Sequence, residues 1–264
     1  MVLAASRAEP SRPVRQIGRM RVESYASREA MAAAGSAAVA ATIRQLLAGQ
    51  PAVRMIFAAA PSQAEMLAAL AAAPGIDWSR ITAFHMDEYV GLPAAAPERF
   101  AAWLDRNLFL RVPFGAVHRI VPEPDPAKTA RDYAAALAAA PIDVVCLGIG
   151  VNGHIAFNDP PVADFADPDD VKIVALDDVC RQQQVDDKCF VRFDDVPEKA
   201  VTLTIPRLLR AGRLFCVVPG ASKRQAVREA LYGPVTTACP ASILRQADCT
   251  LYLDPESDPD VREP

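Results

Sequence analysis

Residues 146–161 read CLGIGVNGHIAFNDPP. An apolar run enters a glycine-rich turn, and the turn carries Asn152, His154 and Asp159. In α/β proteins, ligands bind where a parallel strand ends and the following helix has not begun. A histidine just after such a turn, close to a carboxylate, suits proton transfer near pH 7. This stretch therefore predicts a buried parallel strand with a catalytic turn at its end.

Similar apolar runs alternate with alanine-rich helical stretches along the chain. The predicted strands are 53–59, 81–86, 118–121, 142–149, 171–176, 199–205, 213–218 and 249–254. The predicted helices are 27–48 with Ser27 as N-cap, 62–73, 98–109 and 129–139, and two more that begin after Asp178 and Ala221. Such alternation predicts an α/β fold of three αβα layers, with a mostly parallel, Rossmann-like sheet and helices on both faces.

Length and composition indicate one large folded unit. The chain has 264 residues, and its hydrophobic content of 52% excludes gross disorder. We expect a loose N-terminal arm over residues 1–18, a single domain over 19–256 and a C-terminal tail over 257–264.

Charge and cysteine usage exclude several classes of partner. A net charge of −4 argues against nucleic-acid binding. There is no run of about 18 apolar residues, so no membrane span is expected, and the N-terminal stretch lacks the apolar core of a signal peptide. The six cysteines form no C-x-x-C pair or zinc pattern. We expect a cytoplasmic protein with reduced thiols, no metal and no membrane partner.

A pair of carboxylates lies at a second strand end, in FHMDEYVGLP (84–93). One carboxylate in a partly desolvated cleft can have its pKa raised enough to carry a proton. Adjacent strand residues face opposite sides, so only one of Asp87 and Glu88 is expected to face a site, and Asp87 is the stronger candidate. The alternative for either residue is a helix-capping or loop acid.

The opening stretch raises the same choice for His154. A lone histidine is often a satisfied core residue, but this one follows Gly153 at a strand end and is one of only three histidines. The context favours a catalytic role. Asn152 offers an amide to orient substrate or partner, and Asp159 could hold and polarise His154.

A third strand end occurs in VPGASKRQA (218–226), where Gly220 leads from strand to helix. Free backbone N–H groups, together with Ser222 and Lys223, would form an anion cradle suited to phosphate. The alternative is an ordinary strand-to-helix turn with a solvated lysine.

These segments, in this order, resemble the glucosamine-6-phosphate deaminase family, within the group that also holds 6-phosphogluconolactonases. The resemblance rests on MDEYVGL (86–92), GVNGHIAFN (150–158), VPEKAVTLT (196–204) and PGASK (219–223), and it spans about residues 20–255. The lactonase branch is less similar, because it typically has D-E-R at the first motif and D-G-H-T-A at the second.

The resemblance implies isomerisation of an amino-sugar phosphate with loss of ammonia, without a metal or organic cofactor. By that resemblance Asp87 matches the base that moves a proton between C2 and C1, and His154 matches the group that opens the sugar ring. Asp159 matches a glutamate in the histidine's relay, Asn152 falls where relatives carry aspartate or asparagine, and Lys223 matches the lysine that holds the phosphate. The predicted substrate- and phosphate-binding set is Lys223, Ser62, Gly153, Ser222 and Glu88.

Three departures from the family pattern concern mainly the phosphate. The place of the glycine- and threonine-rich phosphate loop reads AAAPSQ (58–63), where Ser62 could keep one contact. The phosphate-binding arginine is expected near 185–188, where the chain reads VDDK. Asp186 and Asp187 would repel a phosphate, and Arg181, Lys188 or Arg192 could substitute for the arginine. Asp159 is one methylene shorter than glutamate. The chemical half of the site is therefore expected to be intact and the phosphate half rebuilt.

Two other readings stay open from the sequence. One is a hydrolase that opens a lactone such as 6-phosphogluconolactone, with His154 activating water. The other is a sugar-phosphate-binding relative with an altered substrate or without turnover. Homo-oligomers are common among α/β enzymes, but no coiled-coil heptad or interface stripe indicates a number of subunits.

Overall fold

The computed structural model describes residues 8–261. Its strands are β1 (Arg15–Ile17), β2 (Met20–Ser24), β3 (Val53–Phe57), β4 (Ile81–His85), β5 (Asp87–Tyr89), β6 (Ala116–His118), β7 (Val144–Leu147), β8 (Val171–Ala175), β9 (Lys199–Leu203), β10 (Arg213–Val218) and β11 (Cys249–Leu253). Its α-helices are α1 (Arg28–Gly49), α2 (Ala64–Ala71), α3 (Phe100–Leu104), α4 (Pro126–Ala138), α5 (Asp178–Asp186), α6 (Ile205–Leu209) and α7 (Arg224–Tyr232).

The longest helix begins where the sequence predicted. The Ser27 side chain accepts a hydrogen bond from the Ala30 N–H, which satisfies one of the free donors of the first turn of α1. Two predicted helices are interrupted: Pro61–Gln63 is a 3₁₀ turn before α2, and α3 continues as a π-helical turn over Asp105–Phe109.

Eight strands form the central sheet, in the order β1-β2-β11-β10-β7-β3-β4-β6. Every neighbouring pair is parallel except β1 and β2. The strand of the opening stretch, β7, lies in the interior of this sheet, because Val144 is in register with Met55 of β3 on one side and with Arg213 of β10 on the other. The predicted mostly parallel, Rossmann-like sheet is confirmed.

Side-chain alternation along β7 separates two hydrophobic cores. Val145 and Leu147 pack on one face of the sheet, whereas Val144 and Cys146 pack on the other. Residues of α4, α6 and α7 belong to the first core, and residues of α1 and α2 to the second. The three-layer αβα arrangement follows from this alternation.

Two of the predicted strands lie outside the central sheet. β5, β9 and β8 form a separate antiparallel sheet of three strands, in which Asp87 is in register with Thr202. The apolar runs 171–176 and 199–205 were expected to extend the parallel sheet, and that part of the prediction is wrong. The small sheet starts at Asp87, directly after β4. The strand end predicted to carry the catalytic carboxylate is therefore paired with β9.

The chain ends differ from the expected arm and tail. Residues 15–17 were assigned to a loose arm, but they form β1, and Arg15 pairs with Asp258 at 3.0 Å, within the expected tail. Asp258 is fully buried. Residues 1–7 and 262–264 of the predicted arm and tail lie outside the described residues.

One helix of the described chain, α1, is long and apolar enough to cross a membrane by length and composition. Half of its most apolar window is buried inside the fold. Met31, Val39 and Ile43 of α1 belong to the core shared with β3 and β10, as expected of an internal helix. The six cysteines are all free, and Cys146, Cys216 and Cys249 are buried in strands, where they act as small apolar residues.

Candidate active site

One cavity opens at the carboxyl ends of the central strands. Segments that follow β3, β4, β7 and β10 contribute Ser62, Asp87, His154 and Lys223 to its wall. Parallel neighbours end at the same edge of a sheet, which is why residues so far apart in sequence meet here. We call this space the catalytic cavity; four of the nine predicted site residues line it.

Asp87 lies at the start of β5, where the chain leaves the parallel sheet for the antiparallel one. It is 6% exposed and lines the catalytic cavity. Burial, followed by the nearby carboxylates of Glu88 and Asp159, raises the pKa of Asp87 well above its ordinary value. A carboxyl group with a raised pKa, at a cavity wall, is suited to take up and return a proton near neutral pH.

His154 is held from behind by Asp159. Its Nδ1 lies 2.9 Å from Oδ1 of Asp159, whose side chain is 1% exposed. The Asn152 amide donates to the same carboxylate at 3.0 Å, and its oxygen accepts the backbone N–H of His154 at 3.1 Å. Because Nδ1 faces Asp159, Nε2 is the nitrogen available to a ligand.

The environment of Asp159 keeps that carboxylate charged. Burial alone would raise its pKa, but the hydrogen bond and charge of His154 and the hydrogen bond from Asn152 outweigh burial, and the pKa is lowered. Asn152 and Asp159 do not line the cavity. They contact His154 and each other from outside the cavity wall.

Glycines let this turn close tightly. Gly153 has φ +83°, and a Cβ there would lie 2.7 Å from Sγ of Cys239. A Cβ on Gly150 would lie 2.1 Å from Cε1 of His154, so the imidazole ring sits directly against the Gly150 backbone. Gly150 lines the cavity and Gly153 does not, which means that the predicted substrate contact of Gly153 is not present.

Glu88 faces away from the cavity. Its carboxylate accepts the N–H groups of Phe100 at 3.1 Å and Ala101 at 2.9 Å, and so caps the first turn of α3. Burial raises the pKa of Glu88 to about 7, against the lowering effect of those hydrogen bonds. The prediction that Glu88 contacts substrate is wrong. The expectation that only one of the two acids faces the site is confirmed.

Lys223 supplies a buried cation to the cavity. The residue is 5% exposed, and its Nζ has no hydrogen-bond partner among residues 8–261. Burial lowers the pKa of Lys223, while the charge of Asp187 opposes this change. An unpaired buried ammonium is costly alone and is suited to hold an anionic or hydroxyl oxygen.

The rest of the predicted anion cradle is altered. Ser222 is exposed and lies outside the cavity wall. The N–H of Gly220 donates to the Asp254 carboxylate at 3.0 and 3.2 Å. This N–H, one of the donors expected to bind the anion, is therefore already hydrogen-bonded within the protein. The prediction of a cradle is therefore wrong at Gly220 and Ser222, whereas Lys223 lines the cavity and its contact with phosphate stays a prediction.

Comparison with known proteins gives the family. The family described as glucosamine-6-phosphate isomerases/6-phosphogluconolactonase matches residues 26–253. The chain belongs to this family. The match covers all three strand ends described above, and it confirms the resemblance drawn from the sequence motifs.

Curated relatives of this family are similar over most of their length. A glucosamine-6-phosphate deaminase of Exiguobacterium sibiricum is 35% identical over 184 residues, which cover 69% of this chain and 71% of the relative. A glucosamine-6-phosphate deaminase of Bacillus thuringiensis is 36% identical over 186 residues, covering 69% of this chain and 68% of the relative.

Solved structures of the family share the fold. A monomeric glucosamine-6-phosphate deaminase superposes with a TM-score of 0.82 at 25% identity, covering 91% of this chain and 99% of that one. The 6-phosphogluconolactonase of Thermotoga maritima has a TM-score of 0.72 at 19% identity, covering 89% and 99%. The activities that name the family both use a sugar phosphate.

The cavity, as formed by residues 8–261, lacks the arginine that the family pattern places at the phosphate-binding position. No arginine of the described chain lines it. Arg181 donates to the carbonyl of Val196 at 2.9 Å and Arg192 pairs with Asp195 at 2.7 Å, while Lys188 lines an adjoining cleft beside Trp103. The suggested substitutes for the missing arginine therefore lie elsewhere.

Helix α5 supplies residues that the sequence analysis missed. Gln183, Gln184 and Asp187 line the cavity at the carboxyl end of this helix. Asp187 lies in the 185–188 segment where the sequence placed a residue that would repel phosphate. Gln183 and Gln184 were missed, because glutamine in a helix is usually solvent-exposed and gave no sequence signal of a site. Ser62 lines the wall within the Pro61–Gln63 turn, and its contact with phosphate stays a prediction.

A set of donor atoms behind the cavity could hold a metal ion. The ligand atoms of His154, Asp159 and Cys180 all lie within 4.8 Å of one another. Imidazole, carboxylate and thiolate suit zinc, which takes a fourth ligand. Two of these atoms, Nδ1 of His154 and Oδ1 of Asp159, lie 2.9 Å apart.

Proposed function

We propose that this chain converts an amino-sugar phosphate, glucosamine 6-phosphate, to fructose 6-phosphate and ammonia by acid–base catalysis. The observation that carries the proposal is that Asp87 and His154, from strand ends on either side of β3, line the same cavity. Membership of the family and relatives named glucosamine-6-phosphate deaminase support it.

His154 would open the sugar ring. The proton leaves the C1 hydroxyl, the bond between C1 and the ring oxygen breaks, and a proton is delivered to that oxygen. Nε2 of His154 is the candidate carrier because Nδ1 is held by Asp159 at 2.9 Å. The charged Asp159 stabilises the imidazolium that forms while the proton is on the ring.

Asp87 would then move the proton that defines the isomerisation. Its carboxylate removes the proton from C2 of the open-chain amino aldehyde while O1 gains a proton, which gives an enolamine. The carboxyl group then returns its proton to C1 while the nitrogen loses one proton, so that C1 becomes an alcohol carbon and C2 an imine carbon. Water adds at C2, ammonia leaves, and the ketose phosphate remains. The raised pKa of Asp87 supports this role, since a carboxylate of ordinary acidity is a weak base at neutral pH.

Lys223 and Ser62 are the proposed contacts for the phosphate. Both line the cavity, and the Lys223 ammonium has no other partner among the described residues. Charge-assisted hydrogen bonds from lysine to phosphate are among the stronger polar contacts in proteins.

Incubation with glucosamine 6-phosphate tests the proposal. The protein should release ammonia and fructose 6-phosphate in equal amounts, and Asp87→Asn should abolish both. The absence of turnover by the wild-type protein, or equal turnover by Asp87→Asn, would contradict the proposal. Hydrolysis of 6-phosphogluconolactone in place of ammonia release would favour the hydrolase alternative.

We infer a cytoplasmic location, supported by metabolic relatives and by the burial of α1 in the fold. Fractionation of cells that express the tagged chain tests this location, and recovery in the membrane fraction would contradict it.

A further inference from the structure

The cavity that holds Lys223 also has a carboxylate in its wall. Asp187 lines the same cavity as Lys223, and its Oδ2 accepts a hydrogen bond from Nε2 of Gln183 at 3.1 Å. The Lys223 ammonium has no hydrogen-bond partner among the described residues, so it forms no hydrogen bond with the Asp187 carboxylate in the same cavity. The two groups nevertheless interact electrostatically. Burial lowers the pKa of Lys223, and the charge of Asp187 opposes that lowering.

The helix that carries Asp187 adds to this negative pole. Asp187 is the C-cap residue of α5, and Gln183 and Gln184 lie in the last turn. The carboxyl end of an α-helix carries a partial negative charge. A phosphate dianion near Lys223 would therefore be attracted by one ammonium and repelled by Asp187 and the helix end.

A hydrogen-bond donor, Lys223, and an acceptor, Asp187, in one cavity suit a ligand group other than a phosphate dianion. Lys223 can only donate hydrogen bonds and an ionised Asp187 can only accept them. An oxygen that bridges the two must accept from Lys223 and donate its own proton to Asp187. A sugar hydroxyl can do both, and so can a singly protonated phosphate, whereas a fully ionised phosphate has no proton to give.

We propose that Asp187 is a specificity-determining residue, which selects substrates whose far end presents an O–H group to the Lys223–Asp187 pair and disfavours a dianion. The proposal rests on the proposed function, since it concerns the binding end of the same cavity. It implies that this chain distinguishes phosphorylated from unphosphorylated amino sugars less strongly than a site with cations alone would.

The neighbouring acid provides a matched control. Asp186 is exposed, lies outside the cavity wall, and accepts a hydrogen bond from Gln182 at 2.9 Å. Asp186→Asn removes the same charge from the same helix end as Asp187→Asn, without changing the cavity. General effects of net charge or of helix stability will appear in both variants.

The first measurement is anion binding without turnover. Inorganic sulfate, which has no proton to donate at pH 7, is titrated by calorimetry into the wild type, Asp187→Asn and Asp186→Asn. We expect Asp187→Asn to bind sulfate about tenfold more tightly than the wild type, and Asp186→Asn to match the wild type. Sulfate affinity in Asp187→Asn within twofold of the wild type, or an equal gain in Asp186→Asn, would overturn the proposal.

The second measurement is the ratio of kcat/KM for glucosamine 6-phosphate to that for glucosamine. Asp187→Asn should raise this ratio about tenfold and Asp186→Asn should leave it unchanged, whereas mere loosening of α5 would weaken both substrates alike. An unchanged ratio in Asp187→Asn overturns the proposal. If the wild type releases no ammonia from either sugar, the proposed function fails, and the sulfate titration alone decides the role of Asp187.

Discussion

Nδ1 of His154 lies 2.9 Å from Oδ1 of Asp159. Asp159, one methylene shorter than the glutamate of the family pattern, therefore still reaches the imidazole. It does so because Asp159 is fully enclosed and its Oδ1 also accepts the Asn152 amide at 3.0 Å. The carboxylate sets the ring orientation and leaves Nε2 toward the cavity.

Replacing Asp159 with asparagine should lower kcat by about 10²- to 10⁴-fold, because the amide cannot stabilise an imidazolium and favours the wrong tautomer. Stability should fall as well. The lowered pKa of Asp159 means that its ionised form stabilises the fold above the unfolded pKa, and that this contribution is lost as pH falls through the folded pKa. Steady-state kinetics and thermal melts measure both effects. Asp164→Asn, at an exposed loop residue, should change neither, and a kcat near the wild-type value in Asp159→Asn would contradict the relay.

Asp87→Asn should remove turnover, by about 10²-fold or more, and raise Tm. Burial raises the pKa of Asp87 in the folded protein, so its neutral form is the one that favours folding. This contribution to stability is fully present below the unfolded pKa and is lost as the pH rises through the folded pKa. Asparagine removes that cost. The acid limb of the wild-type kcat/KM profile should lie well above the range of an ordinary aspartate, since only ionised Asp87 can accept the C2 proton. A lower Tm in Asp87→Asn, or an acid limb near pH 4, would count against this role.

The fold was largely predictable because parallel strands buried on both faces read as continuous apolar runs. β3, β4, β7, β10 and β11 all overlap their predicted ranges. Strand pairing was not predictable at β8 and β9, since an apolar run indicates a strand but not its partner. β1 and β2 were missed because they are short and carry charged residues such as Arg15 and Glu23.

The catalytic half of the site was more predictable than the binding half. Asp87 and His154 follow strands that end at one sheet edge, so their meeting followed from topology. The burial of Asp254 against Gly220, and the turn of α5 toward the cavity, depend on long-range packing that leaves no local pattern. The sequence indicated two acids, Asp186 and Asp187, near the expected phosphate position, and only the structure shows that Asp187 is the one that lines the cavity.

Glu88→Ala should destabilise the protein by about 1–3 kcal/mol, because the Phe100 and Ala101 N–H groups lose their buried acceptor. Urea unfolding measures the loss. Glu88→Gln keeps one acceptor oxygen, so its stability should lie between those of the wild type and Glu88→Ala. Because Glu88 helps to raise the Asp87 pKa, the acid limb of the rate profile should also move to lower pH in both variants. An increase in KM without loss of stability would instead indicate that Glu88 contacts the substrate, against the structure.

Lys223→Met should raise KM for glucosamine 6-phosphate by about 10- to 100-fold, the usual effect of one lost charge-assisted hydrogen bond. Stability should not fall, because the ammonium is buried without a partner and methionine removes that cost. The exposed Lys199→Met is the matched control. Equal KM values in Lys223→Met and the wild type would remove Lys223 from the binding site.

Gly150→Ala tests the position of His154 without removing any polar group. The added Cβ would lie 2.1 Å from Cε1 and 2.2 Å from Nε2 of the imidazole, so the ring must move. Displacements near 1 Å in a catalytic group cost about 10²-fold in rate, and we expect a loss of that order in kcat. Gly49→Ala, where a Cβ meets nothing within 4 Å, should be silent. In a His154→Ala background the Gly150→Ala substitution should have no further effect on kcat, because the two act through one ring. Additive losses in the double variant would mean that Gly150 serves the cavity independently of His154.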